Sequence, residues 1–173
     1  TYILLKKLKK KKVVIYNNDP TPAIYSFLPF HKVIKNELEN DKFDVAIALD
    51  CSDSSRTGKV KDSLVKANCI INIDHHISNT NFGDLNWVEP QCGSCAQILY
   101  KFCDRFKVMD KNIALCLYTG MFTDTGNFTY SNTDSKTHQI VSQLMRYNLH
   151  PHTIYDNVHS LCTLQDLKFI GRI

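Results

Sequence analysis

Residues 70–84 read Ile-Ile-Asn-Ile-Asp-His-His-Ile-Ser-Asn-Thr-Asn-Phe-Gly-Asp. An apolar run that ends in three consecutive titratable groups, Asp74, His75 and His76, is poor material for a core and good material for a site. Two more carboxylates stand comparably: Asp50 closes the apolar run 43–49, and Asp124 follows the apolar segment 113–122. Asp50, His75 and Asp124 supply the carboxylate oxygens and imidazole nitrogen that hard and borderline divalent cations take, and this mixture suits Mn²⁺. Two such ions about 3.5 to 4 Å apart, sharing a carboxylate, can activate a water and clamp the phosphoryl oxygens of an in-line displacement. Singly, each residue has an ordinary explanation, a helix cap for the aspartates and a hydrogen-bonded ring for the histidine. Their weight comes from recurring at successive element ends.

The elements that must position these groups can be read from periodicity and breakers. Residues 2–8 look like the last turns of a helix. Residues 13–16 form a short buried strand closed by Asn17-Asn18-Asp19-Pro20, and 22–30 hold one short helix. A second strand over 43–49 delivers Asp50, 62–66 suggest a helix, and a third strand over 69–73 delivers Asp74-His75-His76. After a polar loop, helices are expected over 94–106, 111–122, 134–147 and beyond Pro151. Continuous apolar strands alternating with helices specify an α/β fold, a parallel sheet flanked by helices on both faces. Ligands of such sheets bind outside the carboxyl ends of the strands, which puts Asp50 and the Asp-His-His triplet on one rim.

A chain of 173 residues fits one domain with a sizeable core. Its net charge is +4, but Lys6, Lys7, Lys9, Lys10, Lys11 and Lys12 supply all of the excess, and without them the balance is negative. We read that run as a solvated helix face followed by a turn, and draw no nucleic-acid partner from it. Seven scattered cysteines, an odd number, imply reduced thiols, a cytoplasmic location and no secreted context. No stretch approaches the ~18 apolar residues of a membrane span, and no cleavable signal is visible. The glycosylation-type triplet Asn127-Phe128-Thr129 then carries no meaning. The lack of an initiating Met leads us to expect a truncated chain.

Three stretches together resemble the DHH phosphoesterase superfamily: 43–53 ending in Asp50-Cys51-Ser52-Asp53, 72–79 around Asp74-His75-His76, and 118–128 containing Thr123-Asp124-Thr125-Gly126. The closer likeness is to its small oligoribonucleases, which also dephosphorylate 3′-phosphoadenosine 5′-phosphate. Residues 130–133 and 167–172 look like that subgroup too, so the resemblance spans nearly the whole chain. It implies that Asp50 bridges two metal ions, that His75 binds one of them and that Asp124 completes the same site. His76 would face the phosphate and stabilise charge there, and Asp74 would fix the histidine pair, as carboxylates behind ligating imidazoles do. The implied cofactor is a divalent pair, two Mn²⁺ with Mg²⁺ as the alternative. The implied partner is short RNA or a nucleotide, with a homodimer left open.

The chain departs from the family's pattern at both ends. An upstream histidine and Asp-x-Asp pair have no counterpart before Thr1, and the glycine-rich second domain has none after Ile173. Residues 1–173 are therefore expected to be one incomplete catalytic domain, lacking its first strand motif and ending in the helix that would lead to the missing domain. Alone it should bind metal weakly and turn over little. Arg56 is a candidate substrate contact, with a salt bridge to Asp53 as the ordinary explanation, and Ser131 a second candidate beside Tyr130 and Asn132. Asp124-Thr125-Gly126 also matches the aspartic-protease triplet, which belongs at a strand end and here follows a helix. Cys92-x-x-Cys95 could be redox-active or half a zinc site, but packing at a helix start explains it better. Rival activities are cyclic- or linear-dinucleotide hydrolysis, a pyrophosphatase, and, from a different class, a non-catalytic nucleotide-binding module.

Overall fold

The two apolar runs that end in Asp50 and Asp74 pair in parallel. In the computed structural model, which describes residues 1–10, 12–37 and 42–159, β3 (Val45–Leu49) runs beside β4 (Cys69–Asp74), with Val45 opposite Cys69 and Leu49 opposite Ile73. A further parallel strand, β5 (Leu85–Val88), pairs with the other edge of β4, Ile71 lying opposite Leu85. Two-residue strands β1 (Ile15–Tyr16) and β2 (Ile34–Lys35) form a separate parallel pair. The helices are α1 (Tyr2–Lys7), α2 (Lys61–Leu64), α3 (Cys95–Arg105), α4 (Lys111–Asp124), α5 (Ser135–Met145) and α6 (Pro151–His159). The architecture is α/β, as its alternating runs predict.

Helix starts are set by side-chain caps. Ser94 accepts from the Gln97 amide to open α3, Asp110 from Ile113 to open α4, and Asp134 exchanges bonds reciprocally with Thr137 to open α5. Each satisfies a backbone donor that the first helical turn leaves without a partner. α4 is buried on most sides, through Ile113, Ala114, Leu117, Tyr118, Met121 and Phe122, which marks it as the central helix. Around it gather Leu4 of α1, Cys103 of α3, Leu144 of α5 and Ile154 of α6. Gly120 lets α3 approach closely, since a Cβ there would sit 3.0 Å from that of Ala96. A second cluster, Ile73, Cys92, Cys95 and Ile98, packs α3 onto the sheet with Ile47, Ile71 and Trp87.

Several expectations need correction. The strand over 13–16 shrinks to Ile15–Tyr16 and pairs with β2 instead of joining β3 and β4. No α-helix spans 22–30: the segment holds one 3₁₀ turn over Ala23–Tyr25, Pro29 withdraws an amide donor, and Phe30 in the left-handed region (φ 63°) leads into a second 3₁₀ turn over His31–Val33. The helix over 62–66 is the single turn α2, preceded by a 3₁₀ stretch over Ser54–Val60. β5 was hidden in what reads as a polar loop. The segment 167–172 lies outside the described residues. Among the described residues no helix is long and apolar enough to cross a membrane.

Candidate metal centre

Strand ends and one helix end converge on a single spot. Asp50 follows β3 in the left-handed region (φ 55°), a conformation Asp tolerates better than most residues, and its amide donates to the Ile73 carbonyl at 3.0 Å. That turn leaves the Asp50 carboxylate at the carboxyl end of the sheet, half exposed. Directly across the ladder, β4 ends in Asp74 and releases His75 and His76. Asp124 is the last residue of α4.

His75 is the centre of the cluster. Its Nδ1 lies 3.1 Å from the Cys92 carbonyl, an acceptor only, so that nitrogen carries the proton and Nε2 is turned to the opposite side. There Nε2 sits 3.3 Å from Asp50 Oδ1 and 3.2 Å from Asp124 Oδ2. His76 joins from the adjacent position, so that Asp50, His75 and His76 each offer a ligand atom within 4.8 Å of the others. Its Nδ1 donates to Asp74 Oδ1 at 2.7 Å, and Asp74 is wholly buried.

The electrostatics of the cluster favour added positive charge. The hydrogen bond that His75 donates to the Asp50 carboxylate raises its imidazole to about 9 against the opposing effect of burial, with the Asp124 charge assisting. Burial and then the Asp50 charge push the Asp124 carboxyl up as well. The charge contributions to both shifts share one origin, two carboxylates facing one imidazole, while burial adds to the Asp124 shift and opposes that of His75. Nitrogen and oxygen donors converging from three elements, backed by the Cys92 carbonyl, fit a divalent cation.

The remaining sequence candidates flank this cluster. Arg56 is exposed and donates to Ser52 Oγ at 3.2 Å, while the Asp53 carboxylate accepts from the Ser55 amide to start the following 3₁₀ turn. Ser131 is exposed on the loop after α4, and its neighbour Asn132 donates to the Asp124 carbonyl at 3.2 Å and to the Gly93 carbonyl at 2.9 Å. Cys92 and Cys95 are buried free thiols, and burial pushes Cys92 up and Cys95 up to about 12, so neither offers a ready thiolate. The Cys95 thiol donates to the Ile73 carbonyl, which is packing chemistry. Sequence reasoning gave no role to the Cys92 carbonyl, Asn72 or Asn79. The Cys92 carbonyl has no residue-type signal at all, and the two asparagines had only their place beside Asp74.

Residues 1–121 match the DHH family, N-terminal domain. The chain is 32% identical over 149 residues to the bifunctional oligoribonuclease and PAP phosphatase NrnA of Thermus thermophilus, covering 86% of this chain and 44% of that protein. It is 24% identical over 161 residues to the protein of the same name from Bacillus subtilis, covering 90% of this chain and 50% of that one. The chain thus spans about half the length of these two curated relatives. An exopolyphosphatase-related protein from Bacteroides fragilis superposes with a TM-score of 0.88 at 25% identity, over 99% of this chain and 54% of that structure.

Proposed function

The chain belongs to the DHH family, and from that premise we propose that it is the catalytic domain of a metal-dependent phosphoesterase acting on short oligoribonucleotides and on 3′-phosphoadenosine 5′-phosphate. The observation that carries this reading is His75 Nε2, held between Asp50 and Asp124 at 3.3 and 3.2 Å. Relatives named for those two activities support the substrate class.

In this reading Asp50, His75 and Asp124 would hold the metal. Mn²⁺ is favoured by the mixed oxygen and nitrogen donors, and Mg²⁺ is the alternative. When bound, the ions supply an activated water and charge neutralisation at the phosphoryl oxygens. His75 keeps its aim because the Cys92 carbonyl retains the Nδ1 proton. His76, with Nδ1 committed to Asp74, presents its Nε2 edge to the scissile phosphate and orients it. Arg56 and Ser131 sit on the flanking loops as substrate contacts. The free thiols of Cys51, Cys69, Cys92, Cys95, Cys103 and Cys116 suit a reducing, cytoplasmic setting, and a homodimer is compatible with this scheme.

The test, made on the complete protein that carries this domain, is release of mononucleotides from a short oligoribonucleotide and of inorganic phosphate from 3′-phosphoadenosine 5′-phosphate, with Mn²⁺ and then with chelator. Asp50→Ala is expected to leave less than about a tenth of the rate, because metal positioning contributes several kcal/mol to the barrier. Full activity in chelator, or in Asp50→Ala, refutes the metal assignment. Turnover of a cyclic dinucleotide in preference to both substrates moves the protein to that sister activity.

A further inference from the structure

Asn79 has no part in the scheme above, yet its amide is where three segments meet. Nδ2 donates to Asp74 Oδ2 at 2.5 Å and to Asn72 Oδ1 at 2.8 Å, and lies 3.3 Å from the Cys51 carbonyl. Oδ1 accepts from the Asn81 amide at 2.7 Å. These partners fix which way the group points, since turning it over would set its carbonyl against the Asp74 carboxylate and its NH₂ against a backbone donor. Asn72, wholly buried on β4, donates in turn to the Cys51 carbonyl at 3.0 Å.

The consequence falls on His76. Asp74 is sealed from water, and Asn79 takes its Oδ2, so Oδ1 is left for the His76 Nδ1 proton at 2.7 Å. We infer that Asn79 is a positioning residue: it orients the Asp74 carboxylate, which sets the His76 ring, and together with Asn72 it pins the carbonyl that follows Asp50. One amide thereby ties the turn carrying a metal-site carboxylate to the loop carrying both histidines. The functional consequence rests on the phosphoesterase reading, whereas the ring placement does not.

Asn79→Asp, equal in size but unable to donate, and Asn79→Ala are compared with the unaltered protein by two measurements. The first is NMR of ¹⁵N-labelled histidine rings without metal. The unaltered protein should show a hydrogen-bonded, exchange-protected His76 Nδ1 proton, and both variants should lose it while their backbone spectra stay dispersed. Asn79→Ser, which keeps a donor, should restore part of it. The second is steady-state kinetics on a short oligoribonucleotide. There kcat is expected to fall about 10- to 100-fold with KM changed less than about threefold, as for groups that orient site ligands. A His76 proton equally protected in Asn79→Asp overturns the inference, as does unchanged kcat in a folded variant. If Asn79→Ala does not fold, Asn79→Asp carries both comparisons. If the complete protein that carries this domain hydrolyses neither substrate, the phosphoesterase reading fails and the ring measurement alone decides the role of Asn79.

Discussion

At the scale of single residues, the His75 proton and a bound cation compete for the same nitrogen. The His75 imidazole is raised to about 9 in the metal-free protein, above its ordinary value of 6.5. A group whose folded value is raised adds stability that is complete below the ordinary value and disappears as pH climbs through the folded one. Metal-free protein should therefore lose stability between about pH 6.5 and 9 from this source. Metal must expel the same proton, so apparent Mn²⁺ affinity should rise with pH across that window and level off above it. Calorimetric titrations at several pH values, in buffers of different ionisation enthalpy, would report the released proton, and affinity that falls with pH would contradict the assignment. Asp50, His75 and Asp124 could be picked out beforehand because each is a polar group where an apolar run stops. The Cys92 carbonyl that aims His75 could not, because every residue carries a carbonyl and only the fold determines which one meets the ring.

At the scale of elements, α4 does double duty as core helix and as carrier of Asp124, so its registration matters to the site. Its start is held by Asp110, which accepts from the Ile113 amide at 2.8 Å and pairs with Lys7 of α1 at 2.6 Å. Burial alone would raise the Asp110 carboxyl, but the Lys7 ammonium and the helix-start amides outweigh it and hold it below its ordinary value. Asp110→Ala should cost about 0.5 to 2 kcal/mol, the range for a lost N-cap. A depressed carboxylate stabilises above its ordinary value of 3.8 and loses that contribution as pH falls through the folded value. Urea unfolding should thus separate variant from parent at pH 7 and bring them together in strong acid, and an equal gap at both would show that the charge is irrelevant. The long helices were legible because caps and apolar periodicity agree over many residues. β5 was not, because four residues, Leu-Asn-Trp-Val, between polar loops carry too little pattern, and its place depends on Asn86, which closes the preceding turn through Gly83. The 22–30 segment misled because its apolar residues suggest a helix while Pro29 withdraws an amide donor and Phe30 turns into the left-handed region.

At the scale of the whole molecule, charge and aromatic placement bear on substrate length. Proteins that hold extended single strands use a basic groove lined with stacking rings. Here the arginines, at 56, 105, 146 and 172, are isolated in the sequence, and six lysines crowd into residues 6–12. For the proposed full-length enzyme with Mn²⁺ we expect fastest hydrolysis on RNA of about two to five nucleotides and a steep decline beyond, since the singly scattered arginines of this chain do not supply such a track. Initial rates against length must be taken at fixed salt, because phosphate contacts make affinity salt-dependent. Equal or rising rates on a strand of about twenty nucleotides would place the activity with enzymes that follow long strands. The α/β class was readable from the alternation of apolar runs, whereas the division into a two-stranded and a three-stranded sheet was not, because pairing depends on which edges meet in space.

The candidate centre also lies across a seam. Asp50 and His75 leave the sheet whose Ile73 packs with Cys92, Cys95 and Ile98, whereas Asp124 terminates the helix at the heart of the Leu117, Met121 and Leu144 cluster. A cation gripped from both sides would act as a second fastener between clusters that α3 already joins through Leu99, and its removal would loosen that seam. Bound at a free concentration of a hundred times Kd, such an ion adds about 2.7 kcal/mol to the closed form. The amides of the last turn of α4 and of the end of β4 should then exchange hydrogen together when metal is present and at unlike rates without it, making the ion a determinant of cooperativity as well as of chemistry.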